Sequence, residues 1–408
     1  MKYGYIVFVL IYFFTYIHAI PLFNRKERYI IQLKKPDSIE ILCIQDDSAR
    51  SFAHLRKEIK KVFTFGKFEG FVGEFSKEVI DRISTNPLVE KITQDFNIHA
   101  LDISVQEDAP SHLVRLSQKN PIDENQELNY YYSSDYQGTD VTVYVIDTGV
   151  YVDNPEFEGR ASLGPNFSTD SKNIDYIGHG THVAGVLGSN TFGVAKKVKI
   201  QSVKVLDKYG QGSLSSVISG LEYCVNHMNK NKIKGIANLS LGAPKSAILD
   251  AAVQAAYDAG LLVIAAAGNN NIDACGTSPA GSSYAITVGA INNKNDQIAH
   301  FSNWGSCINI FASGVDIHSL NNKRNSNQIQ VLSGTSMASP IVAGFAATLL
   351  EKGVRYDNVN SELQKMAVWS VIPSNSLIVR KGSPNAIVNN GVNNFAVKVA
   401  NNQTNIIM

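Results

Sequence analysis

The sequence predicts an α/β protein: a three-layer domain on a mostly parallel sheet, preceded by a small α+β domain of ferredoxin-like order. Three observations lead there. Val141-Thr142-Val143-Tyr144-Val145-Ile146 is a nearly continuous β-branched and aromatic run, the mark of a strand buried on both faces and hence of a parallel sheet. After it, strand-like and helix-like segments alternate, as they do when helices cover both faces of such a sheet. Before about residue 104, two helical patterns sit among four strand patterns in the order β-α-β-β-α-β.

Taken in order, Met1 to Ala19 reads as a secretory signal peptide. Lys2 supplies a weak positive region, Tyr5 to Tyr16 is apolar, and Ile17-His18-Ala19 allows cleavage after a small residue. An uncleaved signal anchor is the alternative, although the stretch is short for a span of about 20 residues. Residues 20–103 form the ferredoxin-like unit. Tyr29 to Lys34 reads as a strand, and Ser51 to Val62 as a helix with Leu55, Ile59 and Val62 on one face. Phe63–Phe65 and Phe71–Phe75 read as a hairpin, Ser76 to Thr85 as a second helix and Val89 to Ile98 as the last strand. In the domain at 104–390, strands are expected at Lys199–Leu206, Ile236–Leu241 and Leu261–Ala267. Helices are expected at Ser213–Asn226 and Ala247–Ala259. The tail, 391–408, is polar and expected to be disordered.

With 408 residues, 44% hydrophobic and 18% charged, the chain can bury one large core and a smaller one. A formal net charge of +1 points to no polyanion, so no nucleic-acid partner is expected. Four cysteines suit an oxidising compartment without a disulfide scaffold. Asn166, Asn238 and Asn402 open glycosylation sequons, of which Asn238 is discounted as part of a buried strand.

Three segments carry the chemistry. Gly334-Thr335-Ser336 runs straight into the apolar stretch Ile341 to Ala347, which puts Ser336 at a helix N-terminus where free N–H groups face any oxyanion. By itself this leaves a capping serine and a nucleophile equally open. Asp147 ends the apolar strand just before Thr148-Gly149, where parallel sheets collect chemistry. His179 lies between Gly178 and Gly180 ahead of a small-residue helix. The order acid, histidine, serine is one of the known arrangements of a hydrolytic triad. An aspartic-protease reading of Asp147-Thr148-Gly149 lacks the second Asp-Thr-Gly or Asp-Ser-Gly that a shared proton needs. A zinc reading of His179 and His182 lacks a third ligand and an intervening Glu.

Val145–Gly149, Gly178–Gly185, Asn238–Gly242, Ala265–Asn269 and Ser333–Pro340, in that order, resemble the subtilisin-like serine proteases, most closely their proteinase K branch. The resemblance covers most of the chain after about Ala109. It implies Ser336 as nucleophile, His179 as base then acid, Asp147 as the group that holds the imidazole, and Asn269 as oxyanion donor. Without the resemblance, Asn269 reads equally as a left-handed turn residue. It also implies that Gly210-Gln211-Gly212 and Ser240-Leu241-Gly242 bind substrate backbone, and that Ala266, Ala267 and Gly268 line a roomy apolar S1 pocket. Relatives carry a disulfide at the positions of Cys275 and Cys307, and it is expected here. Cys43 and Cys224 are expected as buried free thiols.

The expectation is a secreted serine endopeptidase of broad specificity that favours large apolar P1 residues and is made as a self-processing zymogen. Residues 20–103 resemble the propeptide that helps subtilisin relatives fold and then inhibits them. Expected partners are polypeptide substrates and that propeptide as intramolecular inhibitor, with no membrane after signal removal, and the enzyme is expected to be a monomer. The compartment is extracellular or the secretory-pathway lumen, a vacuole or lysosome-like destination included. No cofactor is required. Structural calcium is left open, but the site that proteinase K relatives often use is not predicted, because Asn309 stands where they have an Asp ligand. Ser313 departs from the usual Pro. Two alternatives stand: a kexin-like processing enzyme, for which only Asp273 supplies an acid near the S1 residues, and a catalytically dead relative used as a binding module.

Overall fold

The structure, a computed structural model, describes residues 26–44, 55–95, 103–323 and 329–392. The signal peptide and all but two residues of the tail lie outside them. The chain divides into two compact units, 1–100 and 101–408.

In the first unit, strands Glu27–Leu33, Ile59–Phe65, Phe68–Phe75 and Val89–Gln94 form one antiparallel sheet with spatial order second, third, first, fourth. Its core packs Ile31, Leu33, Phe71 and Phe75 against Leu42 and Ile83 of helices Ser38–Ile44 and Lys77–Ser84. This is the ferredoxin-like order. The expected helix Ser51–Val62 is a correction: its first four residues lie outside the described ones, helix is confined to Leu55–Glu58, and the chain is extended from Ile59. The spacing of Leu55, Ile59 and Val62 suits a helix. The hairpin across Gly66-Lys67, however, continues its ladder back to Ile59 opposite Gly73, and strand pairing overrides local periodicity. Helix Ser38–Ile44 had no counterpart in the sequence reading. The last strand is described only to Gln94 of the expected Ile98.

The second unit is built on a nine-stranded sheet. From edge to edge its strands are Val368–Trp369, Ala386–Ile387, Ile310–Ser313, Ala285–Ile291, Leu262–Ala266, Lys234–Leu239, Val141–Asp147, Lys199–Lys204 and Ala161–Asn166. Every neighbouring pair is parallel except the antiparallel one at the Val368–Trp369 edge. Side chains of a strand alternate between faces. Val143 and Val145 accordingly meet helices His179–Gly188 and Thr335–Glu351, while Tyr144 and Ile146 face helix Leu214–Asn231 and share a core with helix Ala247–Asp258. Both faces are covered, so the run shows no polar alternation; its one polar residue before Asp147, Thr142, is buried too. Ser213 and Ser246 cap the latter two helices, their hydroxyls accepting from the backbone N–H of Ser216 and Leu249.

Other contacts pin the periphery. Arg115 and Asp296, each about 1% exposed, form a two-point ion pair at 2.8 and 2.9 Å. Cys275 and Cys307 are disulfide-bonded across 32 residues of chain. Cys224 is buried and free; the side chain of Cys43 lies outside the described residues. Among the described residues no helix is long and apolar enough to cross a membrane.

The sheet order places the crevice. From Val141–Asp147 the chain fills both strands on one side, then crosses to Lys234–Leu239 on the other. Ligands of open α/β sheets gather at such a reversal, beyond the carboxyl ends of the strands.

Candidate active site

Asp147 is the last residue of the strand beside that reversal and is fully buried. Its Oδ1 accepts from the N–H of Thr148 at 2.7 Å and faces His179 Nδ1 at 2.7 Å. A carboxylate can only accept, so Nδ1 carries the proton and Nε2 keeps the lone pair.

His179 is the first residue of its helix. Gly178 before it adopts φ +87°, which favours glycine. A Cβ on Gly180 would stand 2.1 Å from the Gly149 carbonyl oxygen. The Gly-His-Gly spacing therefore lets the helix start against the turn that follows Asp147. Buried Asp175 joins the same two elements. Its carboxylate accepts from Thr148 Oγ1 at 2.9 Å and the Gly178 N–H at 2.9 Å, and from the Thr181 N–H at 2.9 Å and hydroxyl at 2.6 Å. Burial alone would lower the His179 pKa. The charge of Asp147, the hydrogen bond to it and the charge of Asp175 outweigh burial and leave it raised.

Ser336 is the second residue of helix Thr335–Glu351 and is half-buried. Its hydroxyl donates to the Ser240 carbonyl at 3.2 Å. The structure thus joins His179 to Asp147 directly and turns Ser336 toward Ser240. Catalytic hydrogen bonds commonly tighten only with substrate bound.

Asn269 follows strand Leu262–Ala266. Its Oδ1 accepts twice from Thr335, at 2.8 Å from the N–H and 2.9 Å from the hydroxyl. This fixes the amide's orientation and leaves the NH2 end as the one turned away from Thr335. Buried Asn303 holds the turn, accepting from the N–H groups of Asn270 and Ile272 and donating to the Ala267 carbonyl.

A cavity of about 620 Å³ is lined by His179, by Gly210, Gln211 and Gly212, by Ser240, Leu241 and Gly242, and by apolar Leu206, Leu214, Val217 and Leu249. The two expected backbone-binding segments border it, outside the paired strands. Ala266 and Ala267 are buried and, like Gly268 and Asn269, are not part of its lining.

The chain matches the Subtilase family over residues 138–394 and Peptidase inhibitor I9 over residues 28–101. It is a subtilase. Subtilase-type proteinase RRT12 of Saccharomyces cerevisiae is 39% identical over 90% of this chain and 82% of its own length. Cerevisin, from the same yeast, is 42% identical over 69% of this chain and 45% of its own. A cold adapted subtilisin-like serine proteinase of known crystal structure aligns with a TM-score of 0.61. It is 38% identical and covers 69% of this chain and 98% of its own. The resemblance, the fold class and the assignment as a serine endopeptidase with an inhibitor-type domain all hold.

Sequence reasoning passed over two of this subtilase's site-building residues. Asp175 stands four residues before His179, and an acid just ahead of a helix start was a capping signal. Lys204, fully buried, donates to the carbonyls of Thr148 at 2.8 Å and Leu206 at 2.7 Å and pairs with Asp170 at 3.0 Å. Its strand also carries Lys199, Gln201 and Ser202, so nothing in the pattern set Lys204 apart. His182 is buried, with Nε2 2.9 Å from the Ile317 carbonyl oxygen, and burial pushes its pKa down to about 4. Among the described residues no three His, Cys, Asp or Glu gather as a metal site. The Asn309 side-chain oxygen accepts from the Thr287 N–H.

Proposed function

We propose that this subtilase hydrolyses peptide bonds with Ser336, His179 and Asp147 as its triad. The observation that carries this is the 2.7 Å contact of His179 Nδ1 with buried Asp147, which leaves Nε2 basic at a cavity that also borders Ser240, the acceptor of the Ser336 hydroxyl. His179 Nε2 takes the Ser336 proton as Oγ bonds to the substrate carbonyl carbon. The oxyanion that forms is held by the Asn269 NH2 and the Ser336 N–H. His179 then returns the proton to the leaving amine as the C–N bond breaks, and water releases the acyl group by the same steps.

Specificity is set by backbone on both sides of the cavity, hence broad. Its lining is rich in leucine and contains no Asp or Glu, which supports apolar over dibasic substrates. The match to an inhibitor family over residues 28–101 supports a zymogen that cuts itself near Ile103, follows the secretory route, and keeps its propeptide as inhibitor until further cleavage. The mature enzyme acts as a monomer.

The test is expression of wild type and Ser336→Ala in a protease-free system. Wild type should react with a serine-directed fluorophosphonate and lose the 84 residues between Ala19 and Ser104, about 9 kDa. Ser336→Ala should fold, stay at precursor length after signal removal and hydrolyse no casein. Substantial casein hydrolysis by Ser336→Ala would show the triad assignment to be wrong. Maturation of that variant at the same position would assign processing to another protease.

A further inference from the structure

Pro340 lies inside the Ser336 helix. Proline has no N–H, so the carbonyl four residues back, that of Ser336, loses its helical donor. The Ser240 hydroxyl supplies one, donating to that oxygen at 2.9 Å. Ser336 and Ser240 therefore exchange hydrogen bonds, hydroxyl to carbonyl in each direction. Ser240 Oγ in turn accepts from Asn238 Nδ2 at 2.9 Å, and Asn238 Oδ1 accepts from the Ser339 hydroxyl at 2.7 Å. Ser339 is one turn beyond Ser336, so the chain of bonds returns to the helix it left. Two points on the first turns of the helix are tied to two alternate residues at the end of strand Lys234–Leu239.

Asn238 and Ser339 are fully buried and Ser240 nearly so, among Ile236, Ala237 and Leu239, where apolar side chains would pack without hydrogen-bond demands. A buried network with each of these groups satisfied stiffens the elements it joins. Here it fixes the peptide plane that follows Ser336, and with it the backbone that carries the hydroxyl the reaction uses.

We propose that Asn238, Ser240 and Ser339 are positioning residues that set the place of the nucleophile, the Ser240 hydroxyl standing in for the N–H that Pro340 lacks. This rests on the reading of Ser336 as nucleophile. A misplacement of about 1 Å at a reacting group costs on the order of 100-fold in rate. Loss of the Ser240 hydroxyl should therefore lower kcat by ~10–100-fold with KM nearly unchanged.

The experiment compares Ser240→Ala, Pro340→Ala and the double variant for kcat, KM and rate of fluorophosphonate labelling. Alanine at 340 restores a backbone N–H to Ser336. The double variant should therefore exceed Ser240→Ala in kcat by about tenfold and label correspondingly faster. A general loss of packing predicts the opposite, a double variant worse than either single one. Equal or lower kcat in the double variant overturns the proposal. If Ser240→Ala does not fold, Ser339→Ala and Ser339→Thr decide: the alanine variant should lose kcat and the threonine variant, which keeps the hydroxyl, should recover it. Equal kcat in those two also overturns it. Activity surviving in Ser336→Ala would instead sink the underlying reading, whatever the other variants do.

Discussion

Replacing Asn269 separates two roles that its amide combines. The oxygen accepts both hydrogen bonds from Thr335, and only the NH2 end is available to an oxyanion. Asn269→Ala removes both ends. Loss of the donor should lower kcat by about 10²–10³, or about 2.7–4 kcal/mol, the range set by removing one such donor in subtilisin, with KM little changed. The same variant orphans the N–H of fully buried Thr335 and should destabilise the domain by about 2 kcal/mol. Asn269→Asp keeps an acceptor for Thr335 but puts a carboxylate oxygen where charge develops. It should unfold close to wild type and yet be slower than Asn269→Ala, because it repels the oxyanion. Kinetics on a peptide anilide give the first comparison. Denaturant unfolding in the Ser336→Ala background, which prevents self-digestion, gives the second. If Asn269→Asp retained more than a tenth of wild-type kcat, the side-chain donor would not be in use. A change confined to KM would mean that Asn269 binds ground-state substrate instead.

Three further outcomes follow from the geometry. The acid limb of kcat/KM should lie above pH 6.5, because His179 must be neutral to act as base and its pKa is raised. Asp175→Asn removes a charge that raises it, so a pH–rate profile should show the limb moved toward lower pH, and no movement would dismiss that coupling. Arg115→Met leaves Asp296 buried and unpaired and should cost about 3–5 kcal/mol in denaturant unfolding; a change within 1 kcal/mol would mean water reaches Asp296. Cys275→Ser with Cys307→Ser should cost about 4 kcal/mol, from the loop the disulfide closes, with kcat unaltered in enzyme kept below its unfolding temperature.

The second unit was legible because its local and global preferences agree. Val141 to Ile146 is apolar but for buried Thr142, since both of its faces are covered, and serines mark two helix starts where their hydroxyls cap. The first unit was less so. Leu55, Ile59 and Val62 satisfy a helical period, and nothing local to them announces the partner strand that extends them. At the site, Asp147 could be picked out because it ends an apolar strand just before Thr148-Gly149, and His179 because it lies between two glycines. Asp175, Lys204 and Asn303 were not, because each holds something distant in sequence: Thr148 for Asp175 and Lys204, the Ala267–Ile272 turn for Asn303.

The proposed triad is spread along most of the second unit, Ser336 coming 189 residues after Asp147, with the proposed oxyanion donor Asn269 between them. At about 5–20 residues per second, a ribosome takes roughly 10–40 s to pass from the acid to the nucleophile. During that interval the nascent chain carries the acid and then the histidine, but no serine to activate. Synthesis itself therefore acts as a timer. The proposed peptidase comes into being only when seven of the sheet's nine strands have been made.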